Sequence, residues 1–140
     1  MRVSGPDGYW VDDDPSLIDL ALVHDWMSRQ SYWAAGRSYD VTVASVQHSL
    51  VLGLYAADGP QAGFARLVTD QATFAWLCDV FVESAHRGRG LGSFLVAQAT
   101  GHPAVAQIRQ VLMAEPGRTL YRHLGFGPLA RTERWMERPG

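Results

Sequence analysis

The chain has 140 residues, 47% of them hydrophobic and 19% charged, with a formal net charge of −2. That length suits one domain, 1–140, with a real core, and that composition excludes a disordered polypeptide. So small a net charge offers no general attraction to nucleic acid or to an anionic membrane. The distribution is less even: residues 1–85 hold four arginines against eleven acids, net −7, and residues 86–140 hold eight arginines against three acids, net +5. A polyanionic ligand would prefer the second half and a cationic amine the first. The single cysteine, Cys78, excludes a disulfide within the chain and points to a reducing compartment. No stretch approaches 18 apolar residues and the N-terminus lacks a basic-then-apolar signal, so a cytoplasmic location is expected.

In chain order, Gly8-Tyr9-Trp10-Val11 reads as a short strand. Asp14-Pro15 then gives a cap and a first-turn proline, and Leu17, Ile18, Ala21, Leu22 and Trp26 recur at helical spacing, which predicts a helix of about 15 residues. The loop from Ser31 to Arg37 carries two adjacent aromatics, Tyr32 and Trp33, which either wall a pocket or pack beneath the loop. A second helix is predicted over 39–48. Three strands follow, over 50–56, 62–68 and 73–82, separated by Asp58-Gly59-Pro60 and by a turn near Thr69-Asp70. Such short turns imply an antiparallel meander.

Residues 77–96 read LCDVFVESAHRGRGLGSFLV. An apolar run, Val80-Phe81-Val82, leads through a short loop to Arg87-Gly88-Arg89-Gly90-Leu91-Gly92-Ser93. A helical pattern then places Leu91, Phe94, Leu95 and Ala99 on one side. A helix start presents unpaired N–H groups and the positive end of the dipole; glycines admit a ligand to the backbone and arginines add charge. That combination suits a phosphate or pyrophosphate. A Walker loop is excluded, because the chain has no lysine. The dinucleotide fingerprint fails at Ser93, and Ile108 and Arg109 stand where its acidic residue would be. Beyond it, 104–107 suggests a further turn of helix and 111–114 a buried strand. A short helix is predicted from Pro116-Gly117 to Leu124, and one or two last strands over 126–137.

Two motifs carry a resemblance. Arg87-x-x-Gly90-x-Gly92 straight after a strand, and Tyr121-x-x-x-Gly125-Phe126 after the next strand, resemble the acyl-coenzyme A loop and the catalytic-tyrosine segment of the GNAT acyltransferase superfamily. The predicted order β-α-α-β-β-β-α-β-α-β is similar to that fold over essentially the whole chain. The fold class expected is therefore α/β (α+β): a mixed, mostly antiparallel sheet with helices on both faces. The resemblance implies an acetyl-CoA-dependent N-acetyltransferase that passes an acetyl group directly to an amine, with acetyl-CoA as co-substrate and no metal. It implies that Tyr121 protonates the departing thiolate, that the pantetheine arm lies in a gap beside Val80, Phe81 and Val82, and that the backbone from Gly88 to Ser93, including Leu91, takes the pyrophosphate. Arg87 and Arg89 would reach the phosphates or remain solvated. Tyr32 and Trp33 would line the amine side.

The base is open at this point. Asp79 lies in an apolar run, where burial would raise its pKa and make it a candidate, or it is a hydrogen-bonded structural carboxylate. Glu83 shares its strand face by alternation. A water chain, or an amine arriving neutral, needs no protein base. The five histidines show no metal spacing and no GxSxG elbow exists. Other readings are a non-catalytic acyl-CoA-binding module on the same fold, and a nucleic-acid or protein-binding domain using the arginine-rich half. The acceptor expected is a small-molecule or peptide amine, without nucleic acid or membrane; the family is often dimeric, so a homodimer is one arrangement the resemblance allows.

Overall fold

The structure, a computed structural model, describes residues 1–140. Its six strands follow one another across a single sheet in chain order. β1 Val3–Ser4 and β2 Trp10–Asp12 form one edge, then come β3 Leu50–Tyr55, β4 Gln61–Thr69, β5 Phe74–Val82 and β6 Arg109–Leu112. The first five pair antiparallel, and β5 pairs parallel with β6. The meander is built by local chemistry. Gly59 takes a left-handed φ of 112° between β3 and β4, and Asp70 turns the chain into β5 by accepting from the Ala72 and Thr73 amides.

Helices cover both faces. α3, Leu91–Thr100, buries Leu91, Leu95, Val96 and Ala99 against Leu52, Leu54, Ala65, Leu67 and Leu77 on one face. Each such buried leucine contributes ~1.5–3 kcal/mol by transfer alone. On the other face α1, Leu20–Asp25, and α2, Tyr39–Gln47, enclose Val23, Trp26, Met27, Val46, Val51, Phe64 and Phe81. α4, Leu120–His123, adds Leu120, Tyr121 and Leu124 at the margin of the α3 side.

Four expectations need correction. Asp14 and Pro15 start only a 3₁₀ turn, Pro15–Leu17; Asp19 caps the true helix by accepting from the Leu22 amide, and a π turn, Trp26–Gln30, extends it. The strand expected over 111–114 lies earlier, at Arg109–Leu112, and β1 is an extra strand. The short helix forms only over Leu120–His123 rather than from Pro116-Gly117. No strand forms over 126–137, where only the turn Thr132–Arg134 is regular. Charges at Arg131, Glu133, Arg134 and Glu137 leave no continuous apolar face there to bury. Phe126 and Leu129 are half-buried, and Trp135 lies with its ring 6.4 Å from Phe74 and under the Arg109 guanidinium.

Two irregularities in β5 shape the rest. The β4–β5 register slips between Phe64, opposite Phe81, and Arg66, opposite Cys78. The bulge centres on Asp79, at φ 52°, a left-handed value that aspartate tolerates better than most residues. Pairing of β5 with β6 ends at Leu77 and Leu112. Beyond Leu77, one edge of β5 therefore has no partner strand.

Candidate active site

Hydrogen-bond alternation decides which backbone groups face that open edge. The Glu83 N–H donates to the Ala62 carbonyl at 2.9 Å, across the β4 side. In an antiparallel pair the neighbouring residue then points its N–H and C=O the other way. Val82 thus presents its amide to the gap, while Phe81 turns its own toward β4; Val80 lies within the register slip next to Asp79. Of Phe81 and Val82, it is the Val82 amide that a ligand in the gap would meet. The Val82 carbonyl already accepts from Arg87 Nε at 2.8 Å.

After β5, the turn Ser84–His86 delivers the chain to the glycines. Gly88 and Gly90 adopt left-handed φ values of 80° and 75°, and Gly90 is the N-cap of α3. A glycine cannot cap with a side chain, and the first amide of the helix to find an acceptor is that of Phe94, on the Gly90 carbonyl at 3.1 Å. The six consecutive N–H groups from 88 to 93 have no acceptor within the chain. No Cβ at Gly88, Gly90 or Gly92 would meet another atom, so the loop is open above all three. Such a run of unpaired amides at a helix start is an anion cradle. Arg89 is exposed and unpaired beside it, whereas Arg87 folds back with its guanidinium 5.2 Å from the Phe81 ring. His86 anchors the turn from behind: its Nδ1 bonds the Tyr9 hydroxyl at 2.7 Å and its Nε2 lies 3.6 Å from Glu83.

Tyr121 stands on α4, half-buried, with its ring edge-on to Phe126 at 6.4 Å. Burial pushes its phenol above the ordinary value, against a smaller opposing effect of Arg118. Its hydroxyl makes no hydrogen bond in the chain. Tyr32 belongs to the same neighbourhood: the Glu115 carboxylate raises its phenol, and Arg118 and Tyr121 act on it too. Tyr32 and Trp33 meet edge-to-face at 5.1 Å and are 67% and 43% exposed, so they are not packed beneath the loop.

Asp79 does not meet the requirement for a base. Its Oδ2 accepts from Arg37 Nη1 at 2.6 Å and Arg66 Nε at 2.8 Å, and its Oδ1 from Trp33 Nε1 at 3.2 Å. Burial alone would push the carboxyl up, as the sequence suggested, but the two guanidiniums outweigh it and hold it below the ordinary value. An anion so stabilised is a poor proton acceptor, and these bonds favour a structural carboxylate. Glu83, paired toward His86, shares no partner with it. Arg37 and Arg66 were not singled out from the sequence. The available signal was Arg66 inside the apolar run Gly63-Phe64-Ala65-Arg66-Leu67, since an arginine buried in a strand requires a carboxylate.

No three His, Cys, Asp or Glu side chains converge as metal ligands, and no helix is long and apolar enough to cross a membrane. Two open depressions lie elsewhere, one of about 190 Å³ beside His102 and one of about 570 Å³ beside Gln110 and Phe126.

Residues 47–128 match the family model for the acetyltransferase (GNAT) domain. A protein of Xanthomonas campestris, described with its crystal structure as a "putative acetyltransferase belonging to the gnat family", is 36% identical, with a TM-score of 0.91 over 97% of this chain and 96% of that one. A GNAT family acetyltransferase of Brucella melitensis, solved in complex with acetyl-CoA, superposes with a TM-score of 0.68 at 19% identity, over 86% of this chain and 83% of that one, and so shares the fold. A Gibberella zeae protein named "putative acetyltransferase" is 28% identical over 63% of this chain, which spans 60% of the length of that curated relative.

Proposed function

Because the chain belongs to the GNAT acetyltransferase family and is an acyltransferase, we propose that it passes the acetyl group of acetyl-CoA directly to a primary amine. The observation that carries this reading is the cradle of six unpaired amides, 88 to 93, placed at the mouth of the open edge of β5. The cradle and Arg89 fit a pyrophosphate in charge and in donor number. Acetyl-CoA supplies the activated thioester.

The chain's own groups account for the remaining steps. The pantetheine arm lies along Val80 and Val82, and the Val82 amide donates to the thioester carbonyl as negative charge grows there. Tyr32 and Trp33 flank the incoming amine and hold it against that carbonyl. The amine nitrogen bonds to the carbonyl carbon, the C–S bond breaks, and the Tyr121 hydroxyl gives its proton to the sulfur. A phenol raised by burial stays protonated at neutral pH, as a proton donor must. With Asp79 committed to its arginines, the amine enters neutral, the proton its nitrogen sheds on forming the amide passes to water, and the Tyr121 phenolate takes a proton back from water.

The test is thiol release from acetyl-CoA across a panel of amines. Release that depends on amine, with the acetylated product seen by mass spectrometry, supports the reading. Coenzyme A binding without turnover on any amine would replace it by a binding module.

A further inference from the structure

The loop 31–37 is tied to the sheet at one side chain. Trp33 and Arg37 both donate to Asp79, at 3.2 and 2.6 Å. Asp79 is 3% exposed and is itself braced by Arg66, which also reaches the Ser49 hydroxyl at 3.1 Å. The same residue forms the bulge of β5, at φ 52°, two positions after the last β5–β6 pair. Val80 and Val82, which edge the gap, follow it directly. One side chain is thus joined on one side to the aromatic wall and on the other to the strand that borders the cleft.

Resting on the reading above, we propose that Asp79 is a positioning residue that couples the two halves of the site: coenzyme A lying along Val80 and Val82 orders the 31–37 loop through the Asp79 bonds to Trp33 and Arg37. The physical reason is that a ligand pairing with the free edge of β5 restricts the backbone of the bulge. A restricted bulge narrows the range of positions open to the Asp79 carboxylate, and its two charge-assisted or polar bonds pass that restriction on. The acceptor wall, already tied to Asp79 in the free protein, then opens less often when coenzyme A is in place.

Amide hydrogen exchange with coenzyme A as the ligand tests this without knowledge of the acceptor. The Ala34, Gly36 and Arg37 amides are bonded to Ser31 Oγ, the Ser28 carbonyl and the Ala34 carbonyl, so their exchange reports opening of the loop. In the wild-type protein, saturating coenzyme A is expected to slow exchange at 88–93 and also, by about tenfold, at those three amides. Arg37→Ala and Trp33→Phe each remove one tie and leave the Arg66–Asp79 pair in place. Both should keep the slowing at 88–93 and the coenzyme A affinity by calorimetry, and lose the slowing at 31–37. Arg37→Lys should recover part of it. Slowing at 88–93 without slowing at 31–37 in the wild type overturns the coupling alone. Slowing at 31–37 that persists in both variants also overturns it, because the loop would then contact the cofactor directly. No slowing at 88–93 overturns the cofactor reading and the coupling with it.

Discussion

Arg66 Nε donates to Asp79 Oδ2 at 2.8 Å, and the two side chains are only 11% and 3% exposed. Their separation in the chain is 13 residues, across a register slip. Removing the carboxylate would leave a buried guanidinium without compensation, which costs ~3–5 kcal/mol. Asp79→Ala should therefore unfold at much lower urea than the wild type.

The same pair predicts a pH dependence. The folded Asp79 carboxyl titrates below its ordinary 3.8, because the guanidiniums overcome burial. A group depressed in the folded state contributes stability above its unfolded pKa and loses it as pH falls through the folded one. Wild-type stability should fall more steeply below about pH 4 than that of Asp79→Asn, measured as urea midpoints against pH. Parallel curves would mean that the ion pair does not contribute.

Much of this architecture could be read from residue order. β3, β4 and β5 follow from apolar runs cut by Asp58-Gly59 and Asp70, and α3, Leu91–Thr100, spans the helical pattern of Leu91, Phe94, Leu95 and Ala99. The failures share a cause. At Asp14-Pro15 a strong local start signal competed with Asp19, which caps the segment whose apolar side chains reach the core, and tertiary burial decided between them. The bulge had no glycine to mark it. Its hydrogen-bond partner Arg37 lies 42 residues away, a distance over which spacing carries no information. Tyr121, Gly90 and the Tyr32-Trp33 loop each lie in a short contiguous pattern, which is why residue order alone singles them out as candidates.

Glycine substitutions should separate binding from folding. Gly90 has φ 75°, so Gly90→Val carries a backbone strain of ~1–3 kcal/mol besides any effect on the ligand. Gly92 lies inside α3 without such a φ, and a Cβ there meets nothing within 4 Å. Gly92→Ala should leave folding stability unchanged or raise it by up to ~1 kcal/mol, while weakening coenzyme A binding through steric contact with the pyrophosphate. Denaturation and calorimetry on the one variant measure both. Unchanged affinity in Gly92→Ala would move the pyrophosphate away from the helix start.

Cys78 should be unreactive. Burial pushes its thiol up to about 11, and Asp79 adds to this while Arg66 and Arg37 oppose it. Near pH 7 the thiolate is then about one part in ten thousand. Labelling by a disulfide reagent should be slow in the native protein and fast in urea. Fast native labelling would show that the strand beside the bulge opens readily.

The sharpest test of the chemistry is Tyr121→Phe. The variant removes one hydroxyl that makes no hydrogen bond in the chain, and its ring still packs against Phe126, so folding stability should be close to wild type. General acid catalysis contributes ~10²–10⁴-fold to rate. If Tyr121 protonates the thiolate, kcat should drop by that order while the Michaelis constants for acetyl-CoA and amine change little, since the lost interaction belongs to the transition state. The pH profile adds an independent readout. Activity requires the protonated phenol, and burial raises that phenol above the ordinary 10.0, so the upper limb should lie above that value and vanish in the variant. A thioester whose leaving thiolate departs unprotonated would need no such group. A folded Tyr121→Phe protein with wild-type kcat and an unchanged upper limb would therefore assign the limb to another residue and leave the thiolate to be protonated by solvent.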